Sequence, residues 1–312
     1  MLLLDGVFIS VAAIFLALIA FVYLSPTTAT NLALSAERSR SGLVRREIEL
    51  PSGLRYAYLE GGQGEVLMLL HGFGGNKDNF TRVSRFLVKH HHVIIPDIVG
   101  FGESSRPTEA DYSPPAQVER LRTLAQALGI HELHLGGNSM GAQIAMVYAS
   151  LYPAEVKSLW LLSPGGVWSV PSDIIMDFKV TGNNRLIARN VAQFQQIMAL
   201  GMQKVPWIPR PMLKVLAQER IRNAALEDRI AHQIIDYSVE RQIDGMKTPT
   251  LIVFGDKDRV IPIQTADVLK QLLPNASVRM LRDVGHVPMF ESPQQSANDY
   301  LSFRTAMSSM AI

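Results

Sequence analysis

The sequence of 312 residues contains no cysteine. Disulfide bonds, a catalytic thiolate and a metal site ligated by cysteine are therefore excluded. Internal repeats and low-complexity tracts are also absent from the sequence, which excludes repeat architectures and argues against a disordered protein. The composition, 47% hydrophobic and 19% charged residues, is typical of a globular protein with one additional apolar segment.

A large excess of charge of either sign is missing as well. The 30 basic and 28 acidic residues leave a net charge of +2, and no basic run is interleaved with aromatic residues. We therefore predict no nucleic-acid partner. The consecutive histidines His90, His91 and His92 would point in different directions, and no acidic residue lies beside them, so we predict no metal site there. We predict no organic cofactor either.

The N-terminal run from Gly6 to Leu24 carries no charge. Eighteen apolar residues in a helix span about 27 Å, close to the roughly 30 Å hydrocarbon core of a bilayer. We predict a retained transmembrane anchor over residues 1–25, followed by a juxtamembrane segment over residues 26–42. A cleaved signal peptide and a buried core helix are the alternatives. The run has no basic residue before it and almost no polar residue within it, which argues against both.

Small residues recur on one face of this predicted helix. They are Gly6, Ser10, Ala13, Ala17 and Ala20. Because such a stripe lets two helices approach closely in lipid, we predict a homodimer through the transmembrane helix. The basic residues from Arg38 to Arg46 that follow favour a cytoplasmic location for the rest of the chain by the positive-inside rule, although acidic residues lie among them.

From residue 43 onward, continuous apolar runs of strand length alternate with helical segments. Such runs are typical of parallel strands that are buried on both faces. The alternation predicts an α/β fold, a mostly parallel sheet with helices on both faces. Because residues 165–248 break the alternation and look helical throughout, we predict a core of residues 43–164 and 249–312, with residues 165–248 forming a helical cap over the carboxyl edge of the sheet.

The predicted cap is rich in methionine and aromatic residues. Some of these side chains are candidates for lining an acyl-chain channel, because methionine adapts to flexible apolar ligands, and the others are expected to pack the cap itself. The candidates are Met176, Met198, Met202, Met212, Trp168, Phe178, Phe194 and Trp207.

The pentapeptide Gly137-Asn138-Ser139-Met140-Gly141 lies between a strand-like run and a helix-like run. In this context a G-x-S-x-G sequence predicts a nucleophile elbow, in which the turn is too sharp for side chains on either side of the serine. The turn exposes the Ser139 hydroxyl, and the following helix directs backbone N–H groups toward negative charge that forms there. An ordinary strand-to-helix turn is the alternative.

Two further side chains follow predicted buried strands, as Ser139 does. They are Asp258 and His286, and the carboxyl ends of parallel strands share one edge of a sheet. A serine hydroxyl needs a base to remove its proton, which we assign to His286. The imidazole needs a carboxylate to fix its tautomer, which we assign to Asp258, with Asp256 as the alternative. The predicted catalytic residues are thus Ser139, Asp258 and His286.

A tetrahedral intermediate also needs hydrogen-bond donors for its oxyanion. We assign these to the backbone N–H groups of Met140, next after the nucleophile, and Phe73, in the loop after an apolar strand. His71 in the same loop and Asp97 after the next strand are predicted to hold their loops rather than to take part in the chemistry.

These segments, in this order, resemble the α/β-hydrolase superfamily over residues 46–303, interrupted by the cap. They are His71-Gly72-Phe73, Pro96-Asp97 with Gly100-Phe101-Gly102-Glu103-Ser104, Gly137-Asn138-Ser139-Met140-Gly141, Gly255-Asp256-Lys257-Asp258 and Gly285-His286. The family's spacing from Gly255 favours Asp258 over Asp256 as the carboxylate. The resemblance implies the α/β-hydrolase fold and a Ser-Asp-His triad.

More narrowly, the N-terminal apolar segment together with residues 71–80 resembles membrane-bound monoacylglycerol lipases and bacterial membrane-anchored phospholipases A. That resemblance implies hydrolysis of carboxylic esters in membrane lipids, with the bilayer as a partner and a fatty acid as product. It also implies a single-pass protein of the bacterial inner membrane. The resemblance favours a periplasmic catalytic domain, whereas the charge bias favours a cytoplasmic one.

Other members of the superfamily define the alternatives. Dehalogenases and epoxide hydrolases use an aspartate at the elbow, so Ser139 argues against both. Hydrolases of carbon–carbon bonds keep the serine and a helical cap but are usually soluble. A catalytically silent lipid-binding protein is the third possibility, although such proteins usually lack members of the triad.

Overall fold

The computed structural model, which describes residues 14–310, contains one eight-stranded sheet in this range, and the continuous apolar runs of the sequence lie in it. The strands are β1 (Val44–Glu49), β2 (Arg55–Gly61), β3 (Val66–Leu70), β4 (His92–Pro96), β5 (Leu133–Asn138), β6 (Val156–Leu162), β7 (Thr250–Gly255) and β8 (Ala276–Leu281). Their order is β1-β2-β4-β3-β5-β6-β7-β8. Strand β2 pairs antiparallel with β1 and β4, and the other neighbouring pairs are parallel. The predicted α/β fold is therefore confirmed.

Helices connect the strands and cover the sheet. They are α1 (Ile14–Leu24), α2 (Pro26–Arg40), α3 (Thr81–Leu87), α4 (Pro114–Ala127), α5 (Met140–Leu151), α6 (Asp173–Thr181), α7 (Val191–Gly201), α8 (Arg210–Arg222), α9 (Ala224–Ile235), α10 (Glu240–Ile243), α11 (Thr265–Leu272), α12 (Pro288–Glu291) and α13 (Pro293–Met310). Helices α6 to α10 occupy the stretch between β6 and β7, where the sequence loses its strand pattern.

The core consists of two apolar layers, one on each face of the sheet. Strand β3 illustrates how one strand supplies both, because successive side chains point to opposite faces. Met68 and Leu70 pack with side chains of α4, α5 and α11, whereas Leu67 and Leu69 pack with side chains of α3 and α13. All four side chains are fully buried. A strand covered on both faces needs apolar residues at every position, which explains the continuous runs in the sequence.

Helix α1 has exposed apolar side chains, among them Phe15, Leu18 and Leu24. Within the described residues, no helix taken singly combines the length and apolar character of a membrane span. Helices α1 and α2 meet those criteria only as a pair, and the pair is bent by 111°. The transmembrane anchor therefore stays a prediction. The stripe of small residues falls partly outside the described residues, at Gly6, Ser10 and Ala13, and the homodimer stays a prediction too.

Helix α2 is attached to the core by charged side chains. Arg38 donates two hydrogen bonds of 2.6 Å to the Asp78 carboxylate, and Arg82 donates one of 2.9 Å to Glu37. Arg45, which lies in β1, also pairs with an acidic residue, Glu103. Arg38 and Arg45 are two of the basic residues on which the positive-inside argument depends, and both are neutralised by acidic partners. The charge bias toward a cytoplasmic location is weaker than the sequence indicated.

The edge of the sheet at the amino ends of its parallel strands contains a buried histidine, His134. Its Nδ1 lies 2.8 Å from the Ser158 hydroxyl, and its Nε2 lies 3.4 Å from the Glu65 carboxylate. Burial, assisted by the nearby positive charge of Arg304, lowers the pKa of His134 to about 4. The folded protein therefore holds this imidazole neutral at pH values where an unfolded chain would protonate it.

We expect stability to fall between about pH 6.5 and pH 4 because of this group. The unfolded chain binds a proton below its pKa of about 6.5, whereas the folded chain resists protonation down to about pH 4, so stability is lost as the pH falls through this window. A shift of this size corresponds to about 3 kcal/mol. Urea denaturation at pH 7 and pH 4 measures how much free energy of unfolding is lost between the two pH values. We expect this loss to be smaller in the His134→Asn variant than in the unaltered protein by that amount. His131→Asn, at an exposed position, is the control, and an unchanged pH dependence in His134→Asn would contradict the assignment.

Candidate active site

The turn between β5 and α5 is strained at its centre. Ser139 has φ 54° and ψ −116°, a conformation that side chains rarely adopt. A Cβ at Gly137 would lie 2.3 Å from the carbonyl carbon of Gly141, and a Cβ at Gly141 would lie 2.1 Å from the oxygen of Leu70. Both glycines are therefore required for the close approach of strand, turn and helix, as the G-x-S-x-G pattern predicts.

The loops after β7 and β8 bring a carboxylate and an imidazole together. Nδ1 of His286 lies 2.9 and 3.1 Å from the two oxygens of Asp258. The backbone N–H groups of Val260 and Ile261 donate to Asp258 Oδ1 at 2.9 and 3.0 Å. Burial alone would raise the pKa of Asp258, but the imidazole and the two N–H donors outweigh it and hold the pKa below its usual value. This carboxylate is held ionised against the histidine.

Asp256, the alternative carboxylate, lies elsewhere. It accepts a hydrogen bond of 2.7 Å from the backbone N–H of Asp283, and its other oxygen lies 3.4 Å from Nζ of Lys257. Of the two carboxylates, Asp258 is the one bonded to the imidazole of His286. The geometry therefore favours Asp258 as the orienting group.

Asn138 joins the histidine loop to the elbow. Its Nδ2 donates to the carbonyl oxygen of His286 at 2.9 Å and to that of Leu162 at 3.0 Å. Asn138 lies inside the elbow motif, but the sequence did not indicate this contact.

The hydrogen bonds within residues 14–310 do not include one between the Ser139 hydroxyl and the His286 ring. Such contacts often tighten only when substrate is bound.

The loop after β3 lies against the elbow. The His71 ring donates to the Gly72 carbonyl at 2.8 Å and accepts from the backbone N–H of Ile98 at 3.0 Å, which fixes the neutral tautomer. Complete burial lowers the pKa of His71 accordingly. A Cβ at Gly72 would lie 3.3 Å from Ser139 Cβ. His71 thus holds its loop in the way the sequence predicted, and Phe73 in that loop lines the same cavity as Ser139.

A buried ion pair stabilises the same region. Asp97 accepts hydrogen bonds of 2.7 Å from the backbone N–H and the Nζ of Lys77, and another of 2.7 Å from the backbone N–H of Glu103. These contacts connect the loops that follow β3 and β4. Asp97 pins its loop, as expected, whereas its partner Lys77 was not anticipated because lysine is rarely buried.

An apolar cavity opens beside Ser139. It has about 40 Å³ of room for the centre of a water-sized sphere, within about 430 Å³ of space between atoms that includes open solvent. Core and cap both contribute to its lining, which includes Phe73, Ser139, Met140, Trp168, Ile175, Ala231, Ile234 and Ile235. Phe73 and Met140, the predicted sources of the oxyanion donors, thus lie on the same cavity as Ser139. The apolar lining beside the Ser139 hydroxyl suits an apolar ligand.

The methionine and aromatic side chains of the cap were expected either to line a channel or to pack the cap itself. Of the eight candidates, Trp168 is among the described residues that line the cavity, and the other seven are not. Met176 is half exposed, and Phe178 packs behind the lining against Ala231 and Ile235. Helices α6 and α9 direct aliphatic side chains toward the cavity, because their amphipathic faces are built from isoleucine and alanine.

Filling the cavity should shorten the acyl chains that it accepts. Ala231→Phe places a ring among the lining residues, so we expect kcat/KM for a palmitoyl ester to fall about 10-fold or more while an acetyl ester is spared. Ala217 is equally buried in α8 but lies outside the cavity lining, so Ala217→Phe is the matched control for overpacking. Equal losses on both esters in Ala231→Phe would contradict the assignment of this cavity.

Arg220 connects the cap to the loop after β3. Its guanidinium lies so close to Gly74 that a Cβ there would be 2.0 Å from Cζ, and Gly74 has φ +65°. Arg220 Nε donates to Glu227 at 2.8 Å, and Nη2 donates to the Leu186 carbonyl at 2.5 Å. The sequence gave no sign of Arg220, because the contact joins residues 146 positions apart in the chain.

The sheet, the elbow and the cap define the class of protein, which is that of the α/β hydrolases. Residues 65–293 of the chain match the family described as alpha/beta hydrolase fold. The chain therefore belongs to the α/β-hydrolase family.

Individual relatives extend the comparison. The chain is 43% identical to Lipase 1 of Psychrobacter immobilis over 284 residues, covering 89% of each chain. It is 29% identical to a human monoacylglycerol lipase over 255 residues, covering 78% of this chain and 76% of that one. A solved bacterial membrane phospholipase A is 33% identical, with a TM-score of 0.87 over 97% of this chain and 98% of that chain. This protein is a carboxylic-ester hydrolase.

Proposed function

We propose that the protein is a membrane-anchored serine hydrolase that cleaves carboxylic-ester bonds of lipids through an acyl-enzyme. The observation that carries the proposal is the His286–Asp258 pair, joined at 2.9 Å, beside a strained serine elbow that opens on an apolar cavity. Each part has a function in ester cleavage, and no metal or organic cofactor is required.

In the first half of the reaction, the Ser139 hydroxyl attacks the ester carbonyl, and Nε2 of His286 takes its proton. Asp258 holds Nδ1–H of the imidazole and stabilises its charged form. The backbone N–H groups of Phe73 and Met140 donate to the oxyanion of the tetrahedral intermediate. The imidazolium then protonates the departing alcohol. Water, activated by the same imidazole, releases the fatty acid from Ser139 in the second half.

The lipid substrate is inferred from the lining of the cavity and from the relatives. An apolar cavity beside the nucleophile suits an acyl chain, and the relatives are named lipases, a monoacylglycerol lipase and a membrane phospholipase A. The candidate substrates are therefore phospholipids, lysophospholipids and monoacylglycerols.

Membrane attachment is inferred from α1 and the residues before it. Apolar side chains of α1 are exposed, and a bilayer would cover them. Helix α2 is fastened to the core through Arg38 and Asp78, so the anchor would hold the catalytic domain close to the lipid. A single span in the bacterial inner membrane, and a homodimer through the stripe of small residues, belong to this proposal.

A panel of lipids tests the substrate class. We expect fatty-acid release from at least one of phospholipid, lysophospholipid and monoacylglycerol, and none with the Ser139→Ala variant. Activity confined to vinylogous diketones would instead favour the carbon–carbon bond hydrolase. Lipid binding without turnover would favour a carrier.

The anchor can be tested separately. A chain lacking residues 1–24 keeps α2 and its bonds from Arg38 and Glu37 to the core. We expect it to hydrolyse a water-soluble ester as the full chain does, but to lose most of its activity on phospholipid vesicles, because it no longer concentrates on the bilayer. Equal turnover of vesicles by both chains would contradict the anchoring function.

A further inference from the structure

The end of cap helix α7 is bonded to the loops that carry Asp258 and His286. The last carbonyl groups of a helix have no partner within it and must find one elsewhere. Here the backbone N–H of His286 donates to the carbonyl of Gly201 at 2.8 Å. Nη2 of Arg259, the residue after Asp258, donates to the carbonyls of Ala199 at 2.6 Å and Met202 at 2.8 Å.

A single carboxylate, Glu291, bridges the two sides of this contact. Its Oε1 accepts from the backbone N–H of Gly285, the residue before His286, at 2.8 Å. Its Oε2 accepts from the backbone N–H groups of Gln203 at 2.7 Å and Lys204 at 3.0 Å, just beyond the end of α7. Glu291 therefore ties the histidine loop to the cap with both oxygens.

The packing at Gly285 shows how close this contact is. A Cβ there would lie 2.8 Å from Glu291 Oε1, 2.9 Å from the nitrogen of Gln203 and 2.9 Å from the oxygen of Gly201. The histidine loop, the carboxylate and the helix end thus meet at one point without room for a methyl group. A shift of any one of them moves the others.

We propose that Glu291 is a positioning residue for His286, acting with Arg259 to fix the imidazole relative to Ser139 when the cap is seated. The inference rests on the proposed function of His286 as the base. The two backbone N–H groups that precede the Cα of His286, those of Gly285 and His286, are both bonded to this assembly. A displacement of about 1 Å in such a group can lower the rate about 100-fold.

Because both oxygens of Glu291 accept hydrogen bonds, position 291 requires a side chain with two acceptor atoms. A carboxylate has two accepting oxygens, whereas a carboxamide has one oxygen and one donating nitrogen. Glu291→Gln must therefore place a donor against backbone N–H groups on one of the two sides. Glutamine is not a conservative replacement here, and aspartate, which keeps both oxygens, is the closer substitute.

The experiment measures kcat and KM of Glu291→Gln, Glu291→Ala and Glu291→Asp on an acetyl ester and on a long-chain ester. We expect the Gln and Ala variants to lose about 10- to 100-fold in kcat on both esters with little change in KM, and Asp to recover part of the loss. The proton resonance of the His286 Nδ1–H, which reports the bond to Asp258, should broaden or shift in the Gln and Ala variants.

Glu240 supplies the control, because it also accepts a backbone N–H, that of Trp168 at 3.3 Å, but does not bond the histidine loop. Glu240→Gln should leave kcat on the acetyl ester near the unaltered value. Should Glu291→Ala fail to fold, Arg259→Gln probes the same helix end from the aspartate loop and should lower kcat in the same way.

The outcomes separate this inference from the proposed function. Wild-type kcat in Glu291→Gln, or a loss confined to KM for the long-chain ester, would overturn the positioning inference and leave ester hydrolysis intact. An unaltered protein that hydrolyses no ester would instead refute the function on which the inference rests.

Discussion

Replacing Ser139 by alanine should abolish ester hydrolysis, with kcat falling about 10⁶-fold, as expected when the nucleophile of a serine triad is removed. The hydroxyl is the group that would form the acyl-enzyme, and among residues 14–310 no other side chain that lines the cavity offers a second nucleophile. The measurement is single-turnover hydrolysis of a chromogenic ester, together with labelling by a fluorophosphonate, which should mark the unaltered protein and not the variant.

Stability provides the control for this variant. Alanine at position 139 must adopt the same strained φ of 54° as serine, so the thermal midpoint should change little. Ser163→Ala, at a buried serine that also has positive φ, tests a similar backbone without touching the elbow. Substantial residual hydrolysis or labelling of a folded Ser139→Ala protein would refute Ser139 as the nucleophile.

Asp258→Asn should lower kcat about 10⁴-fold, because an amide donor facing Nδ1 of His286 stabilises the wrong tautomer of the imidazole. The side chain keeps its shape, so the protein should still fold and the main loss should appear in kcat. One amide hydrogen faces Nδ1, but the other would be buried without an acceptor, so a moderate fall in thermal midpoint is also expected.

Asp256→Asn is the matched control, two residues away on the same loop. Its carboxylate bonds the backbone of Asp283 rather than the imidazole, so kcat should stay within about threefold of the unaltered value. The reverse ranking, with Asp256→Asn inactive and Asp258→Asn active, would show that the loop rearranges in solution and that the orienting carboxylate is Asp256.

The sequence predicted the strands of this fold with good accuracy. The sequence predicts strands at 66–70, 156–162 and 276–281, and β3, β6 and β8 have these bounds. Strand β3 is a continuous apolar run, whereas β6 and β8 also contain polar residues, among them Lys157 and Arg279. The sequence pattern of residues 79–88 is helical throughout, whereas in the structure a 3₁₀ turn at Lys77–Phe80, capped by the Asn76 side chain, precedes α3. Short capped turns are set by local side-chain bonds that hydrophobic periodicity does not reveal.

The candidate site was predictable where its residues belong to short motifs. Gly137, Ser139 and Gly141 were identifiable because an elbow imposes close contacts that only glycine permits. Which methionine and aromatic side chains of the cap line the cavity was not predictable, because composition gives the residues of a cap but not the direction in which each helix turns them. Met176 is therefore exposed, while the cavity is lined by aliphatic side chains of α6 and α9.

The sequence by itself determined the α/β architecture, the elbow and the order of serine, aspartate and histidine, since these depend on local spacing and on hydrophobic periodicity. Only the tertiary structure decided that Asp258 rather than Asp256 meets His286, and that Arg220, Arg259 and Glu291 fasten the cap to the loops of the site. Those contacts join residues far apart in the chain. Their geometry depends on how the cap packs against the sheet, which no local pattern specifies.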